Sequence, residues 1–153
     1  MRPLFTVAAL TAFAALTAPA WAGPDDLIRV KAAGDVTATM DALVQAVEGA
    51  GVTVFARIDH AEGAKGAGMD LVPEQVLIFG KPEHGTQAMQ ADPLAGLLLP
   101  MKVLVYEDAE GQTWLVYEDV AEMFEDYDIP QDAEYVQSMT KGLKNLTTKA
   151  AGG

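Results

Sequence analysis

A β-hairpin in the second half of the chain restricts the fold more than any other feature of the sequence. Two segments rich in β-branched and aromatic residues, Met101–Glu107 and Thr113–Glu118, flank a short polar connection. Gly111 lies in that connection, where a tight hairpin loop needs a residue in the left-handed conformation. The sequence therefore predicts two antiparallel strands that are neighbours in one sheet.

The register of this hairpin predicts a sheet with two apolar faces. On one face the expected pairs are Tyr106–Trp114, Leu104–Val116 and Lys102–Glu118, and on the other they are Val105–Leu115 and Val103–Tyr117. Side chains alternate between the faces of a sheet, and a face rich in apolar side chains must be covered. If helices cover one face, the other face needs a partner subunit or a ligand.

The remaining segments predict the other elements of an α+β domain. Two long helices are expected, one capped by Asp35 and one capped by Asp132, because apolar residues follow each aspartate at helical spacing. Further strands are expected at Leu27–Lys31, Val52–Asp59 and Gln75–Phe79, a short helix at Thr86–Gln90, and either a short helix or a mobile loop at Ala61–Gly68. The predicted core order is β-α-β-β-β-β-α, with an antiparallel sheet and the helices packed on one face.

The first 22 residues predict export. Met1-Arg2 precedes the apolar run Leu4–Leu16, and Ala20-Trp21-Ala22 has the small-x-small pattern that a signal peptidase cleaves. The apolar run is shorter than the roughly 20 residues that a membrane span requires, although an uncleaved anchor is the alternative. We therefore expect a signal peptide over residues 1–22, a single domain over 23–153 and a periplasmic or secreted protein.

Charge and the lack of cysteine exclude several functions. The chain carries 22 acidic against 10 basic side chains, for a formal net charge of −12, which repels nucleic acid and anionic membrane surfaces. It contains no cysteine, so thiol catalysis, cysteine-bound iron–sulfur clusters and covalently attached c-type haem are excluded. Neither nucleic acid nor, after signal cleavage, a membrane is an expected partner.

Three ordered segments resemble a known protein family. They are Ile58-Asp59-His60, then Phe79-Gly80-Lys81-Pro82 followed by Gly85-Thr86, and finally Leu98–Asp108. Together they resemble the domain-of-unknown-function 302 family over roughly Val30 to Leu143. The resemblance implies a compact α+β domain with an antiparallel sheet, similar to the TATA-binding-protein-like architecture, and a tendency to form homodimers. It implies no particular activity.

The chain departs from the family pattern at two positions. Many members carry asparagine where Lys81 stands here, and many carry cysteine where this chain has Met101. A site that uses the amide or the thiol in relatives is therefore in doubt here. Lys102 keeps the positive charge that follows in the family.

Aromatic residues of the hairpin are the first candidate site. Lys102, Tyr106, Trp114 and Tyr117 are expected to line a pocket for an apolar anion or a cationic group. The alternative is that these residues form a dimer interface or ordinary core.

His60 is the second candidate. It follows Asp59 at a strand end, where an imidazole is suited to bind a ligand, to act as a general base or simply to donate a structural hydrogen bond. His60 and His84, with Glu62, Glu83 or a methionine, form a candidate metal or haem site, although their spacing matches no known ligand pattern.

These observations favour an exported, non-catalytic domain that binds a small ligand or a partner and acts as a homodimer. The alternative is a metal or haem protein, or an enzyme, centred on His60 with Lys102 or His84 assisting. The sequence singles out no catalytic residue and identifies no cofactor.

Overall fold

The computed structural model describes residues 26–152, so the predicted signal peptide over residues 1–22 lies outside the described residues. Five antiparallel strands form one sheet in the spatial order β1-β5-β4-β3-β2. The strands are β1 (Leu27–Lys31), β2 (Thr53–Asp59), β3 (Glu74–Gly80), β4 (Met101–Glu107) and β5 (Thr113–Glu118). The helices are α1 (Val36–Gly49), α2 (His60–Gly66), α3 (Pro82–Ala91), α4 (Val120–Met123) and α5 (Glu134–Ala150), with a 3-10 helix at Pro93–Leu97. The predicted α+β class and core order are confirmed.

Helix α1 begins and ends as its sequence predicts. The Asp35 carboxylate accepts a hydrogen bond from the Ala38 backbone N–H at 2.8 Å and satisfies one of the free donors of the first turn. Apolar residues at helical spacing are buried, namely Val36, Met40, Leu43 and Val47. The helix stops at Gly49, and Gly51 follows with a φ of 67°, a conformation that glycine adopts without strain.

The prediction that Asp132 caps the last helix is wrong. Ala133 occupies the capping position of α5 and makes no side-chain capping bond. The Ala133 N–H donates to the Pro130 carbonyl at 3.0 Å, and this turn moves the helix start one residue beyond the expected cap. The buried stripe of α5 is nevertheless as expected and consists of Val136, Met139, Leu143 and Leu146.

The hairpin has the predicted register. Leu104 pairs with Val116 and Tyr106 with Trp114, as the position of Gly111 requires. The Gly111 N–H donates to the Asp108 carbonyl at 3.0 Å, and its φ of 77° is the left-handed conformation expected there.

The two faces of the sheet have different environments. Helix α1 packs across β2, β3 and β4 and against α5, so both long helices lie on the same face, which we call the covered face. Side chains there are buried, among them Leu77, Val103, Val105, Leu115 and Tyr117. The opposite face, here called the open face, carries the partly exposed side chains of Val76, Ile78, Leu104, Tyr106 and Trp114. The prediction of an apolar sheet with helices on one face is confirmed.

Three connecting segments differ in detail from the expectation. Helix α3 begins at Pro82, four residues earlier than expected. Proline is well suited to the first turn of a helix, because a backbone N–H there would have no acceptor within the helix. Helix α4 was not predicted, and Pro93–Leu97 forms a 3-10 helix. Within residues 26–152, no helix combines the length and the apolar character needed to cross a bilayer.

Candidate functional site

The four hairpin residues proposed as one pocket lie on different faces of the sheet. Lys102, Tyr106 and Trp114 lie on the open face, whereas Tyr117 is 5% exposed and belongs to the core of the covered face. Burial raises the pKa of the Tyr117 hydroxyl, and a hydrogen bond with Thr147 of α5 partly offsets the rise. A single pocket lined by all four side chains is therefore not formed, because adjacent strand residues point to opposite faces.

The three remaining side chains make local contacts on the open face. The Tyr106 hydroxyl accepts a hydrogen bond from Arg29 Nη1 at 3.3 Å. Trp114 Nε1 donates to Asp108 Oδ2 at 2.7 Å. Lys102 Nζ donates to the Leu98 carbonyl at 3.4 Å. The three side chains are therefore held by separate local hydrogen bonds on the surface of the sheet.

His60 is the first residue of α2 and is exposed. The carboxylate of its neighbour Asp59 has two hydrogen-bond partners other than His60. Asp59 Oδ1 accepts from the Glu62 N–H at 2.8 Å and so caps α2. Asp59 Oδ2 accepts from Gln75 Nε2 at 2.9 Å.

His60 and His84 lie at opposite ends of the β2–β3 ladder. The ladder pairs Asp59 with Gln75 at one end and Thr53 with Gly80 at the other. Six strand residues separate the two ends by about 20 Å, so the two imidazoles are too far apart to share one ion. Nowhere in residues 26–152 do three histidine, aspartate or glutamate side chains come together as metal ligands.

Two adjoining cavities lie at one end of the sheet, where β3 ends and β4 begins. The first cavity has a volume of about 350 Å³. Its walls are largely apolar and come from β2, from α3, from the segment before β4 and from α5, through Phe55, Met89, Leu99, Pro100, Met101 and Met139. A bulge in β2 between Val54 and Ala56 contributes to this wall, because it shifts the strand register at Phe55, which is 53% exposed.

The second cavity adjoins the first and is more polar. Its volume is about 460 Å³, and α5 lines it with Ser138, Lys141 and Asn145. Both cavities share one set of wall residues, which consists of Gly80, Lys81, His84, Met101 and Met139. We call the two cavities together the end cleft.

Two glycines shape the end cleft by lacking a side chain. A Cβ at Gly80 would lie 3.7 Å from Phe55 Cε2 and 3.8 Å from Pro100 Cβ, so the three residues already pack closely. Gly142 of α5 faces the second cavity, and a Cβ there would meet no heavy atom within 4 Å. The space in front of Gly142 is open.

Two ammonium groups border the end cleft of this acidic protein. Lys81 lies in the shared wall and Lys141 in the second cavity. Over residues 26–152 the salt bridges are Arg57–Asp41 and Lys65–Glu62, so neither cleft lysine has a carboxylate within 4.0 Å. The ammonium groups of both lysines are therefore not paired with a carboxylate in the described part of the chain.

Of the residues singled out in the sequence, the hairpin candidates and His60 lie outside the end cleft and His84 lines both of its cavities. The sequence nevertheless contained a signal, since residues of Phe79-Gly80-Lys81-Pro82, of Gly85-Thr86 and of Leu99–Met101 belong to the segments that carry the family resemblance and line the cleft. Both noted departures, Lys81 and Met101, are wall residues shared by the two cavities. Met139 and Lys141 lie in a distant helix, and no pattern in the sequence connects them with these segments.

A five-stranded antiparallel sheet, a helical layer on one face and a cleft at one end define a small α+β domain. Residues 28–146 match the profile of "Domain of unknown function DUF302", and the chain belongs to this family. The resemblance found in the sequence is thereby confirmed. The crystal structure of an uncharacterized conserved protein DUF302 from Bacillus stearothermophilus has the same fold, with a TM-score of 0.74 at 19% identity. The match covers 83% of this chain and 99% of that one.

Curated relatives are longer than this chain. The chain is 34% identical over 127 residues to fluoride-specific ion channel FluC 1 of Brucella suis, which is 82% of this chain and 50% of that protein. The same identity is found with FluC 1 of Brucella abortus and FluC 2 of Brucella melitensis, over 47% of each. The chain thus spans about half the length of the curated relatives that it matches.

Proposed function

We propose that this chain is an exported, non-catalytic domain that binds a small, largely apolar ligand in the end cleft. One observation carries the proposal: a cavity of about 350 Å³ with largely apolar walls is built from the segments that resemble the family. Ligand sites are typically concave, mostly apolar and of about 300–1,000 Å³, with a few polar groups that orient the ligand. The end cleft fits each part of this description.

Export is the part of the proposal that rests on sequence alone. The apolar run Leu4–Leu16 and the Ala20-Trp21-Ala22 pattern support cleavage of residues 1–22. The excess of acidic side chains and the absence of cysteine are compatible with a stable domain in the periplasm or outside the cell. N-terminal sequencing of the protein recovered from the periplasm tests it, and an intact Met1 contradicts it.

A neutral fluorescent probe tests binding in the first cavity. N-phenyl-1-naphthylamine is apolar and uncharged, and we expect it to bind the wild-type protein saturably. Gly85 of α3 lines the first cavity, and a Cβ there would lie 3.8 Å from Leu99 Cδ1 and 3.9 Å from Met89 Cε. A larger side chain at this position fills the cavity, so Gly85→Leu should weaken probe binding at least tenfold.

Gly63→Leu is the matched control for this experiment. Gly63 lies in α2, at the far end of the sheet, and a Cβ there would meet nothing within 4 Å. This variant gains the same side chain in a helix and should bind the probe like the wild type. The proposed site is wrong if wild-type protein shows no saturable binding, or if Gly85→Leu binds as tightly as Gly63→Leu.

We further propose that a second copy of the chain covers the open face. Its centre is apolar, with Val76, Ile78, Leu104 and Val116 in adjacent strands. One row across the face runs from Lys31 through Trp114 and Tyr106 to Glu74, so opposite charges lie toward the two ends of the row. If two copies pack their open faces together about a two-fold axis that reverses this row, the two apolar centres contact each other. Lys31 of one copy then lies near Glu74 of the other.

A charge at the centre of the open face tests the dimer. Leu104→Glu should convert a dimer to a monomer in sedimentation velocity, because the carboxylate would be buried without a partner. Leu97→Glu adds the same charge at a residue that is 79% exposed in the 3-10 helix, and it should remain dimeric. A monomeric wild type at high concentration contradicts the proposal.

Two other functions receive less support. Fluoride conduction is not carried over from the named relatives, since the chain spans about half of their length. A metal, haem or catalytic centre at His60 is less well supported, because His84 and Lys102, the residues expected to act with His60, both lie toward the opposite end of the sheet.

A further inference from the structure

We propose that the ligand of the end cleft is an amphiphile, with an apolar part in the first cavity and one anionic group, such as a carboxylate, in the second. This inference rests on the proposed ligand-binding function and specifies the chemistry of the ligand. It is carried by the contrast between two adjoining cavities and by two lysines, Lys81 in the wall that the cavities share and Lys141 in the second cavity.

The two cavities differ in the atoms that a ligand would contact. In the first, the side chains of Phe55, Met89 and Leu99 present carbon and thioether sulfur, which favour an apolar surface. In the second, α5 presents the Ser138 hydroxyl, the Asn145 amide and the Lys141 ammonium group. A wholly apolar molecule makes no hydrogen bond with these polar groups, and a wholly polar molecule gains little in the first cavity.

The shared wall gives a ligand one continuous path between the cavities. Lys81, His84 and Met139 border both spaces, so a ligand that reaches from one into the other passes Lys81 and ends near Lys141. Both are ammonium groups with no carboxylate within 4.0 Å in the described part of the chain. Hydrogen bonds between such ammonium groups and an anion are shorter and stronger than those between neutral groups. An anionic group at the polar end is therefore the complementary one.

Three probes with the same ten-carbon chain test the sign of the charge. They are decanoate, 1-decanol and decyltrimethylammonium, each used below its micelle concentration and measured by displacement of N-phenyl-1-naphthylamine. We expect decanoate to bind at least tenfold more tightly than 1-decanol, and decyltrimethylammonium to bind most weakly. Equal affinity for all three probes, or preference for the cation, overturns the inference and leaves the proposed function intact. Failure of every probe to bind, N-phenyl-1-naphthylamine included, contradicts the proposed function itself.

Variants in α5 locate the anionic group. Lys141→Ala should weaken decanoate five- to tenfold and leave 1-decanol unchanged, whereas Lys141→Arg should keep most of the affinity. Lys144→Ala removes the same charge from an exposed residue one turn along, outside both cavities, and should change neither probe. Equal losses for decanoate and 1-decanol in Lys141→Ala overturn the assignment of the head group.

A substitution that fills the second cavity gives an independent readout. Gly142→Leu places a side chain into open space and should improve the propensity of α5 to form a helix, so the variant is expected to fold. It should abolish the advantage of decanoate over 1-decanol while N-phenyl-1-naphthylamine still binds in the first cavity. If Gly142→Leu keeps the full preference for decanoate, the anionic group does not lie in the second cavity and the inference is wrong.

Discussion

The indole of Trp114 donates a hydrogen bond from Nε1 to Oδ2 of Asp108 at 2.7 Å, and this bond ties the second strand of the hairpin to the start of its loop. The other carboxylate oxygen of Asp108 accepts the backbone N–H groups of Glu110 at 3.0 Å and Gln112 at 2.8 Å. These bonds lower the pKa of Asp108 below its ordinary value of 3.8, with the Trp114 bond as the largest cause. One carboxylate thus stabilises the closed form of the loop.

The depressed pKa of Asp108 predicts how stability depends on pH. A group whose pKa is lower in the folded state than in the unfolded state stabilises the fold fully at pH values above its unfolded-state pKa. This stabilisation is lost as the pH falls through the folded-state pKa. We therefore expect Asp108→Asn to be less stable than wild type at pH 7, with the difference shrinking below about pH 3.8. Trp114 is the only tryptophan in residues 23–153, so its fluorescence in urea titrations between pH 2 and 7 reports the effect in a protein that consists of these residues.

Asp126→Asn is the control for this measurement, because it removes a carboxylate from an exposed position outside the hairpin. It should leave the pH dependence of unfolding close to that of wild type. A difference between wild type and Asp108→Asn that stays constant from pH 7 to pH 2 would show that the carboxylate does not act through its ionisation.

Two glutamates of the α4 region predict a pH dependence of the opposite sign. The pKa of Glu122 is raised, first because its side chain shares a hydrogen bond with Glu125 and then because of the charge of Glu125. A group whose pKa is raised in the folded state stabilises the fold at low pH, and this stabilisation is lost as the pH rises through the folded-state pKa. Glu125→Gln removes the charge that opposes ionisation of Glu122, so it should be more stable than wild type at pH 7, and this advantage should fall as the pH is lowered and Glu122 takes up its proton. A variant that loses stability at pH 7 contradicts this prediction.

The loop glycine of the hairpin predicts a stability change that is independent of pH. Gly111 has a φ of 77°, where a residue with a Cβ is strained by about 1–2 kcal/mol. Gly111→Ala should therefore lower the free energy of unfolding by about this amount in urea titrations, and Gly111→Asn should lose less. The control is Gly63→Ala in α2, which has open space around it and should be neutral or slightly stabilising. Equal effects of the two alanine substitutions would contradict the role assigned to the backbone conformation.

Local sequence determined the elements, and tertiary packing determined the site. The hairpin and α1 were predictable because Gly111 and Asp35 act on residues within four positions of themselves. The end cleft joins Phe55 to Met139 across 84 positions, and the β-bulge that contributes Phe55 to its wall has no signature in the sequence. Tyr117 was grouped with Lys102, Tyr106 and Trp114 by chemistry, although the predicted register already placed it on the opposite face.

A buried glutamine predicts the last stability change. Gln75 is 7% exposed, accepts a hydrogen bond from Arg57 Nε at 2.9 Å and donates to Asp59 at 2.9 Å. Gln75→Leu keeps the volume and removes both bonds, and because Arg57 and Asp59 still reach water it should cost about 1–2 kcal/mol of unfolding free energy. Asp41→Ala breaks the ion pair of Arg57 with a carboxylate that is 53% exposed, and such pairs contribute only about 0–1 kcal/mol. The free energies of unfolding of the two variants are compared in urea titrations. A larger loss for Asp41→Ala would mean that the ion pair, rather than the buried amide, holds Arg57 in place on β2.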